Sequence, residues 1–183
     1  MSNGDRRKQN PNQEVPPADL AFVGLGSNLG DSRDILFRAL ERLALFSVSP
    51  LLHSSLWQTS PVDCPPGSPP FINAVVGLMP KLNETPESLL SKLQDLEREF
   101  GRSRKEILNE PRRLDLDLIA FRRDTRLGRE LTLPHPRAHQ RRFVLQPLSE
   151  IAPDLILPGQ SKTVLQLLAG LPPDSGMRKL DQF

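Results

Sequence analysis

The chain has 183 residues, 37% of them hydrophobic, and a formal net charge of +2, which together favour one globular domain. Its single cysteine, Cys64, excludes an internal disulfide framework and fits a reducing compartment, so we expect a cytoplasmic protein. No run of residues has the length and apolarity of a membrane span, and the first residues lack the apolar region of a secretory signal, so we expect no membrane partner.

The first segment, residues 1–19, is polar, and its composition predicts a disordered N-terminal tail. We expect the domain itself at residues 20–171, followed by a loosely held C-terminal tail at residues 172–183. Charge is unevenly distributed within the domain, because residues 98–142 contain 13 Arg or Lys against 7 Asp or Glu, a local charge of +6. Such a concentration suits an anionic ligand.

The predicted elements begin with a buried strand at residues 20–26, which is apolar and ends in glycines. A helix follows, because apolar residues recur at helical spacing through residues 35–44, and either Asp31 or Ser32 is a suitable N-cap. The glycine-containing turn between the two elements is therefore best interpreted as a tight connection from strand to helix.

Residues 48–59 and 71–82 predict the second and third strands, on either side of a proline-rich loop at residues 60–70. A second helix is expected to begin after the capping residue Thr85 and to end at Gly101, since apolar residues again recur at helical spacing between them. Long loops of this kind are often functional.

The next strand, PRRLDLDLIAF at residues 111–121, has an unusual pattern. Its alternation puts a row of leucines on one face and two carboxylates, Asp115 and Asp117, on the other. These carboxylates lie about 6.5 to 7 Å apart along a strand and repel each other. Either the polar face is open to water, or cations lie between the carboxylates, and this pattern alone leaves both possibilities open.

The resulting order is strand, helix, strand, strand, helix, strand, followed by short pieces and a short helix at residues 163–169. This order predicts an α+β fold, a ferredoxin-like sandwich whose mostly antiparallel sheet carries both long helices on one face. The active site is then expected on the other side of the sheet, between the loops at residues 60–70 and 101–112. We expect these loops to close over substrate and exclude water.

Several ligand classes are disfavoured by the sequence. The stretch GLGSNLG is not a dinucleotide fingerprint, because Leu29 stands where the third glycine is needed, and no P-loop pattern occurs. A zinc pair of His135 and His139 is disfavoured by the intervening Pro136. An RNA-recognition sheet needs exposed aromatic residues, and the chain has one Trp and no Tyr, so we expect no nucleic acid partner.

Arginines flank the paired aspartates in the sequence, namely Arg102, Arg104, Arg112 and Arg113. Guanidinium groups bind phosphate oxygens bidentately, and carboxylate pairs bind Mg²⁺ ions that bridge nucleotide phosphates. Phosphoryl transfer depends mainly on positioning and charge stabilisation, which these side chains supply. A surface network of ion pairs is the alternative that this constellation alone leaves open.

Six stretches in a fixed order carry a resemblance to a known family. They are GLGSNLGD (24–31), QTSPV (58–62), FINAVV (71–76), LQDLEREFGRSR (93–104), PRRLDLDLI (111–119) and LTLPH…RRFVLQPL (131–148). Together they resemble the 6-hydroxymethyl-7,8-dihydropterin pyrophosphokinase family over about residues 20 to 170. The resemblance implies a folate-pathway enzyme that transfers pyrophosphate from ATP to the hydroxymethyl group of a reduced pterin and releases AMP.

The resemblance also implies roles for individual residues. Asp115 and Asp117 match the family's ligands for two Mg²⁺ ions, and Arg102 and Arg112 match the arginines that hold the triphosphate. The positions that match further nucleotide contacts are Gln94, Glu97, Arg104, His135 and Arg141. The positions that match the pterin site are Thr59, Ser60, Val62, Phe71, Asn73 and Phe143. We therefore expect ATP and a pterin as small-molecule partners, and a monomer.

The sequence departs from the family pattern just before Pro111. A basic residue, Trp and Gly are common there in the family, whereas this chain has Leu108, Asn109 and Glu110. The Trp closes over the site, so we expect weaker substrate binding or faster release with the chemistry retained. The alternative is a degenerate homologue with weak activity that acts as a binding partner.

Overall fold

The structure, a computed structural model, describes residues 17–61, 64–101 and 110–180. Its strands are β1 (Ala21–Ser27), β2 (Leu52–His53), β3 (Trp57–Thr59), β4 (Phe71–Leu78), β5 (Asp115–Phe121), β6 (Arg126–Leu127), β7 (Thr132–Leu133) and β8 (Arg178–Lys179). Its α-helices are α1 (Ser32–Ala44), α2 (Pro86–Glu99), α3 (Arg142–Ile151) and α4 (Val164–Ala169). Short 3₁₀ helices lie at Pro17–Asp19 and Ala138–Gln140.

One antiparallel sheet organises the fold. Its strand order is β5-β1-β4-β3-β8, with β2 also paired to β4, whereas β6 and β7 form a separate hairpin. The predicted second strand is interrupted at residues 54–56 and occurs as β2 and β3. The helices α1 and α2 follow β1 and β4, so the order of the long strands and their crossovers is the ferredoxin-like arrangement that the sequence predicts.

Both long helices begin where their capping residues predict. Asp31 accepts a hydrogen bond from the backbone N–H of Asp34, and Thr85 accepts one from that of Ser88, each at 3.1 Å. Pro86 is the first residue of α2, where its missing N–H is harmless. The apolar stripes of the two helices pack on one sheet face together with alternate residues of the three long strands.

The opposite sheet face carries a second core at one end only. Phe22, Val75 and Ile119 pack there against α3 and α4. The register between β1 and β5 shifts at Ile119, which forms a β-bulge, and Ile119 and Ala120 both belong to this core. The sequence does not predict α3, because Pro147 lies within it and short pieces surround it. None of the described helices covers the rest of this sheet face, which forms the site described below.

The ends of the chain differ from their predicted description. Residues 17–19 of the expected N-terminal tail form a 3₁₀ helix, and the residues before them lie outside the described part. Residues 178 and 179 pair with β3 as β8, so this part of the C-terminal segment is held by the sheet rather than loosely attached. None of the helices in the described ranges combines the length and apolarity needed to cross a membrane.

Candidate active site

The uncovered part of the second sheet face is the floor of a cleft of about 850 Å³. The register aligns two rows of residues across the three long strands. Asp115, Gly26 and Asn73 form one row, and Asp117, Gly24 and Val75 form the next. Asp115 therefore lies two strand spacings from Asn73, roughly 10 Å, and Asp117 lies in the adjacent row. A site of this size has a distinct carboxylate end and amide end.

Twelve of the predicted site residues lie in the described part of the chain, and all of them line this cleft. They are Thr59, Ser60, Phe71, Asn73, Gln94, Glu97, Arg112, Asp115, Asp117, His135, Arg141 and Phe143. The other three predicted residues, Val62, Arg102 and Arg104, lie outside the described residues, as do Leu108 and Asn109. The fold thus brings together side chains from five separate stretches of sequence.

The glycines of β1 keep the middle of the floor free of side chains. A Cβ atom on Gly26 would lie 3.1 Å from Oδ1 of Asn73 and 3.8 Å from the Cβ of Asp115. A Cβ atom on Gly24 would meet only ordinary contacts, the nearest at 3.5 Å from Ile119. Gly26 therefore leaves room for Asn73, because a side chain there would force the amide that lines the other half of the cleft to shift by a few tenths of an ångström.

The two carboxylates share an uneven electrostatic environment. Nη1 of Arg112 donates to Oδ1 of Asp115 at 2.9 Å, whereas Nη1 of Arg141 lies 3.8 Å from Oδ2 of Asp117. Burial, followed by the charge of Asp115, raises the pKa of the Asp117 carboxyl above its usual value. The charges of His135, Arg141 and Arg112 oppose this rise only in part. The pair therefore carries negative charge that the surrounding arginines do not fully offset.

This donor set fits magnesium. Two carboxylates on one strand face supply hard oxygen ligands, and a divalent cation would offset the burial and the repulsion that together raise the pKa of Asp117. Within the described ranges, no three His, Cys, Asp or Glu side chains form a group that could hold a metal on their own. An ion at this position would therefore take its remaining ligands from substrate phosphates and water, which is how Mg²⁺ is usually bound in nucleotide sites.

Arg112 also fits an anionic ligand beside that ion. Its Nε atom is buried and has no hydrogen-bond partner among the residues that the structure describes. Buried donors of this kind are rare unless a ligand or water satisfies them. The backbone around Arg112 is fixed, since its N–H donates to Oδ1 of Asn28 at 2.8 Å and its carbonyl accepts from the backbone N–H of Asn28 at 3.1 Å.

His135 is held beside the carboxylates by the bulge in β5. Its backbone N–H donates to the carbonyl of Ile119 at 2.8 Å, and its Nδ1 accepts from the backbone N–H of Arg137 at 3.2 Å. Burial lowers the pKa of the imidazole below its usual value, although the charge of Asp117 opposes this. The neutral ring then carries its proton on Nε2, which leaves a donor available at the carboxylate end of the cleft.

The amide end of the cleft is organised by Asn73. This side chain is buried, and its Nδ2 donates to Oγ1 of Thr59 at 2.8 Å. Two aromatic rings, Phe71 and Phe143, line the same cleft, and the guanidinium of Arg141 lies over the ring of Phe143 at 5.4 Å. A buried amide, a hydroxyl and apolar rings are the features expected of a pocket for a flat heterocycle.

Glu97 has a structural contact in addition to its place in the cleft wall. The side chain is buried on α2, and its Oε1 accepts a hydrogen bond from the backbone N–H of Leu116 at 2.8 Å. Gln94, one turn earlier on the same helix, also lines the cleft. The role near the nucleotide that the resemblance implies for these residues stays a prediction, whereas the tie between α2 and β5 is a feature of the fold.

Asn28 supports the site from behind the cleft lining, and the sequence analysis did not single it out. It is buried after β1, and its Nδ2 donates to the carbonyl of Pro69 at 3.2 Å while its Oδ1 accepts from the backbone of Arg112. One amide thus joins the proline-rich loop to the segment that enters β5. The only signal in the sequence is an amide directly after a buried strand, which needs partners wherever it is buried.

Comparison with known proteins points to one family. Residues 22–153 match the model of the 7,8-dihydro-6-hydroxymethylpterin-pyrophosphokinase (HPPK) family. The chain is 44% identical over 161 residues to the 2-amino-4-hydroxy-6-hydroxymethyldihydropteridine pyrophosphokinase of Synechocystis sp., covering 84% of this chain and 80% of the relative. It is 36% identical over 148 residues to the protein of that name from Haemophilus influenzae, covering 81% and 90%.

Solved structures support the fold. Wild-type HPPK-DHPS of Plasmodium falciparum, crystallised with pteroate, superimposes with a TM-score of 0.65 at 14% sequence identity. The match covers 82% of this chain, which spans 44% of the length of that larger protein. At this identity the likeness shows the fold alone.

Proposed function

The chain belongs to the 7,8-dihydro-6-hydroxymethylpterin-pyrophosphokinase family, and we propose that its cleft transfers the terminal pyrophosphoryl group of ATP to 6-hydroxymethyl-7,8-dihydropterin. Membership makes the chain a pyrophosphokinase of folate biosynthesis that uses ATP as co-substrate. The site assignments, the number of metal ions and the course of the reaction are our proposals. The observation that carries them is the row Asp115–Gly26–Asn73, which puts both ends of the cleft on one floor. The carboxylate end suits phosphate and metal, and the amide end suits a heterocycle and is the heterocycle end of the cleft.

We assign the triphosphate to the carboxylate end. Asp115 and Asp117 would hold up to two Mg²⁺ ions, which when bound would neutralise phosphate charge. The buried Nε of Arg112 is suited to a phosphate oxygen, and Arg141 adds positive charge beside Asp117. The neutral imidazole of His135 can donate from Nε2 to the same phosphate chain. Arg102 and Arg104, which lie outside the described residues, are kept as predicted nucleotide contacts.

We assign the pterin to the amide end. Asn73 and Thr59 offer amide and hydroxyl groups to the polar edge of the ring, together with Ser60 and, as a prediction, Val62. Phe71 and Phe143 offer apolar faces to the flat bicycle. With the two substrates on one floor, about two strand spacings apart, the hydroxymethyl group can approach the phosphate chain.

The proposed chemistry is a single displacement. The hydroxyl oxygen of the pterin forms a bond to the β-phosphorus of ATP, and the bond from that phosphorus to the oxygen bridging it to the α-phosphorus breaks. AMP departs with that oxygen, and the hydroxyl proton is released to solvent. The residues of this chain contribute binding, orientation and positive charge rather than a covalent intermediate.

A product assay tests this proposal. The protein is incubated with Mg-ATP and 6-hydroxymethyl-7,8-dihydropterin, and AMP is separated from ADP. We expect pterin-dependent AMP, reduced by at least about a hundredfold in Asp115→Ala and Asp117→Ala, because each removes a charge that positions the phosphates. ADP as the product would show transfer of one phosphoryl group and overturn the proposal. Circular dichroism of each variant checks that the fold is retained.

The alternative of a weakly active homologue that acts as a binding partner is not favoured. The relatives with high coverage carry the name of the enzyme, and in the part of the chain that the structure describes the predicted floor residues occupy one cleft. We also propose that the chain acts as a monomer in the cytoplasm, without a nucleic acid or membrane partner. Light scattering of the purified protein would test the monomer, since a mass of twice 20.5 kDa would contradict it.

A further inference from the structure

The C-terminal arm, which we define as residues 172–180, lies at the heterocycle end of the cleft. Asp174 lines the cleft, and Gly176 lies against Ser60, directly after β3. The family match covers residues 22–153, so the arm lies outside the matched residues. The arm is therefore a part of the site wall whose role has to be argued from its contacts.

The arm is anchored where it begins. Arg142, the first residue of α3, donates to three backbone carbonyls, those of Leu168 at 3.2 Å, Leu171 at 2.6 Å and Pro172 at 2.8 Å. Hydrogen bonds from a charged donor are among the stronger ones in proteins. Arg142 precedes Phe143 directly, so the same turn of α3 carries one ring of the cleft and holds the start of the arm.

The arm is also anchored where it ends. β8 pairs with β3, and the backbone N–H of Leu180 donates to the carbonyl of Leu56 at 2.8 Å. Nζ of Lys179 lies 2.8 Å from Oε1 of Glu150 on α3, and the other oxygen of Glu150 accepts from the backbone of Ser55 at 2.6 Å. Between two fixed ends, residues 173–177 have little freedom to move away from the cleft.

The middle of the arm is a tight turn pressed against Ser60. The backbone N–H of Gly176 donates to Oδ1 of Asp174 at 2.9 Å, and that of Met177 donates to the carbonyl of Asp174 at 3.2 Å. A Cβ atom on Gly176 would lie 2.5 Å from Oγ and 3.5 Å from Cβ of Ser60. Ser60 is exposed, so its hydroxyl would rotate away from a side chain at position 176, and the position of the group that Ser60 offers to the cleft would change.

We propose that the C-terminal arm is a fixed wall of the heterocycle end and that Gly176 is a specificity-determining position, whose lack of a side chain keeps Ser60 in place for the pterin. This proposal rests on the assignment of that end to the pterin. The absence of a side chain at Gly176 leaves room for Ser60, and the turn formed by Asp174 fixes the distance between the arm and Ser60. The carboxylate end, to which we assign the nucleotide, lies across the floor, so the arm affects the binding of the pterin only.

The experiment compares Gly176→Ala and Gly176→Leu with the parent protein. Binding of fluorescent 6-hydroxymethylpterin is titrated in the presence of a non-reactive ATP analogue, and binding of the analogue alone is measured by calorimetry. We expect affinity for the pterin to fall from Gly to Ala to Leu, by at least about tenfold for Leu, because overpacking displaces Ser60. Affinity for the nucleotide should stay within about twofold.

Two controls distinguish a local effect of the arm on pterin binding from a general loss of protein stability. Lys162→Leu adds the same side chain at an exposed loop position that does not line the cleft, and it should leave pterin affinity unchanged. Ser60→Ala removes the Oγ atom, which leaves only the 3.5 Å contact to Cβ. In that background Gly176→Ala should lower pterin affinity much less than it does beside Ser60, whereas independent effects would simply add.

The outcomes are distinct. Pterin affinity within twofold of the parent in Gly176→Leu would overturn the proposal for the arm, and so would a parallel fall in pterin and nucleotide affinity. Additive effects in the Ser60→Ala background would overturn the contact between Gly176 and Ser60 as the cause. A parent protein that binds no pterin would overturn the proposed function together with the arm, and can be recognised because it is seen before any variant is made.

Discussion

Oε1 of Glu97 accepts a hydrogen bond from the backbone N–H of Leu116 at 2.8 Å, so a side chain of α2 holds the residue that separates the two aspartates. β5 is the last strand in the sheet order, and on that side no further described strand pairs with it. Glu97 therefore supplies an acceptor that a neighbouring strand would otherwise provide. The spacing of Asp115 and Asp117 depends in this way on a helix that carries neither of them.

We predict that Glu97→Ala destabilises the protein and weakens Mg-ATP binding. Leaving the N–H of Leu116 buried without an acceptor costs about 1–3 kcal/mol. Glu97→Gln keeps an acceptor oxygen and should retain most of the stability. Urea unfolding measures the stability, and titration measures the affinity for Mg-ATP. Equal losses of stability and affinity in Glu97→Ala and Glu97→Gln would show that the acceptor oxygen is not the cause.

The two glycines of β1 offer a matched pair for testing the floor. We predict that Gly26→Ala raises the KM for the pterin by about tenfold, because the new methyl group presses on Oδ1 of Asn73. The methyl group of Gly24→Ala would make only ordinary contacts, so this substitution should change the KM for the pterin by less than about threefold. Steady-state kinetics with each substrate varied in turn would decide this, and similar KM values for the two variants would contradict it.

Asn28 provides a test of the link between the proline-rich loop and Arg112. We predict that Asn28→Ala releases the loop at residues 64–70, since it removes both side-chain hydrogen bonds. Hydrogen exchange in that loop should become faster, and kcat/KM should fall by about tenfold or more because Arg112 loses one of its supports. Asn28→Asp keeps only the acceptor, so it should loosen the loop while Arg112 stays held. Unchanged exchange in Asn28→Ala would rule out the link.

The departure before Pro111 leads to a gain-of-affinity prediction. Asn109→Trp combined with Glu110→Gly restores the family pattern at two positions, and it removes a negative charge near the phosphate-binding segment. We predict that the Michaelis constants for both substrates fall while the chemistry is unchanged. The measurement is steady-state kinetics with ATP and the pterin varied separately. If both constants stayed as they are in the parent, the idea that these residues weaken lid closure would have to be dropped.

Glu84 gives a prediction about pH. Burial alone would raise the pKa of this carboxyl, but hydrogen bonds from Lys92 and Ser88 and the charge of Lys92 outweigh it, so the pKa lies below its usual value. A lowered pKa in the folded state means that the stabilisation is fully present above the unfolded value of about 4.3 and is lost as pH falls through the folded value.

The corresponding measurement is the free energy of unfolding between pH 6 and pH 3. Glu84→Gln should be less stable than the parent at pH 6, and the difference should shrink as the pH falls. Glu41→Gln, an exposed substitution on α1, serves as the control. A difference between Glu84→Gln and the parent that stays constant over this range would contradict the prediction.

Local patterns predicted the parts of the fold that depend on neighbouring residues. The alternation in β5 put Asp115 and Asp117 opposite the leucines, and Asp31 and Thr85 marked the starts of the long helices. The buried amide of Asn73 donates to Thr59, which is the partner that a buried polar group requires. These features are decided within a few residues or by simple satisfaction of polar groups.

The features that were missed depend on distant parts of the chain. The β-bulge at Ile119 becomes visible only when β1 is paired with β5. β8 has two residues, too few for a recognisable pattern, and it is identified only by its pairing with β3. The helix α3 contains Pro147, which locally argues against a helix, yet its apolar face is stabilised by the second core. Tertiary packing overrides local preference in all three cases.

The second sheet face is shared between the cleft floor and the core beneath α3 and α4, and this has a consequence for local opening of the molecule. Gly24 and Phe22 belong to the same strand, as do Asp117 and Ile119, so the floor cannot separate its strands unless the second core comes apart as well. The floor amides should therefore exchange with solvent only through unfolding of the whole domain. The loops around the cleft can then open locally, whereas the floor on which both substrates would bind opens only when the whole domain unfolds.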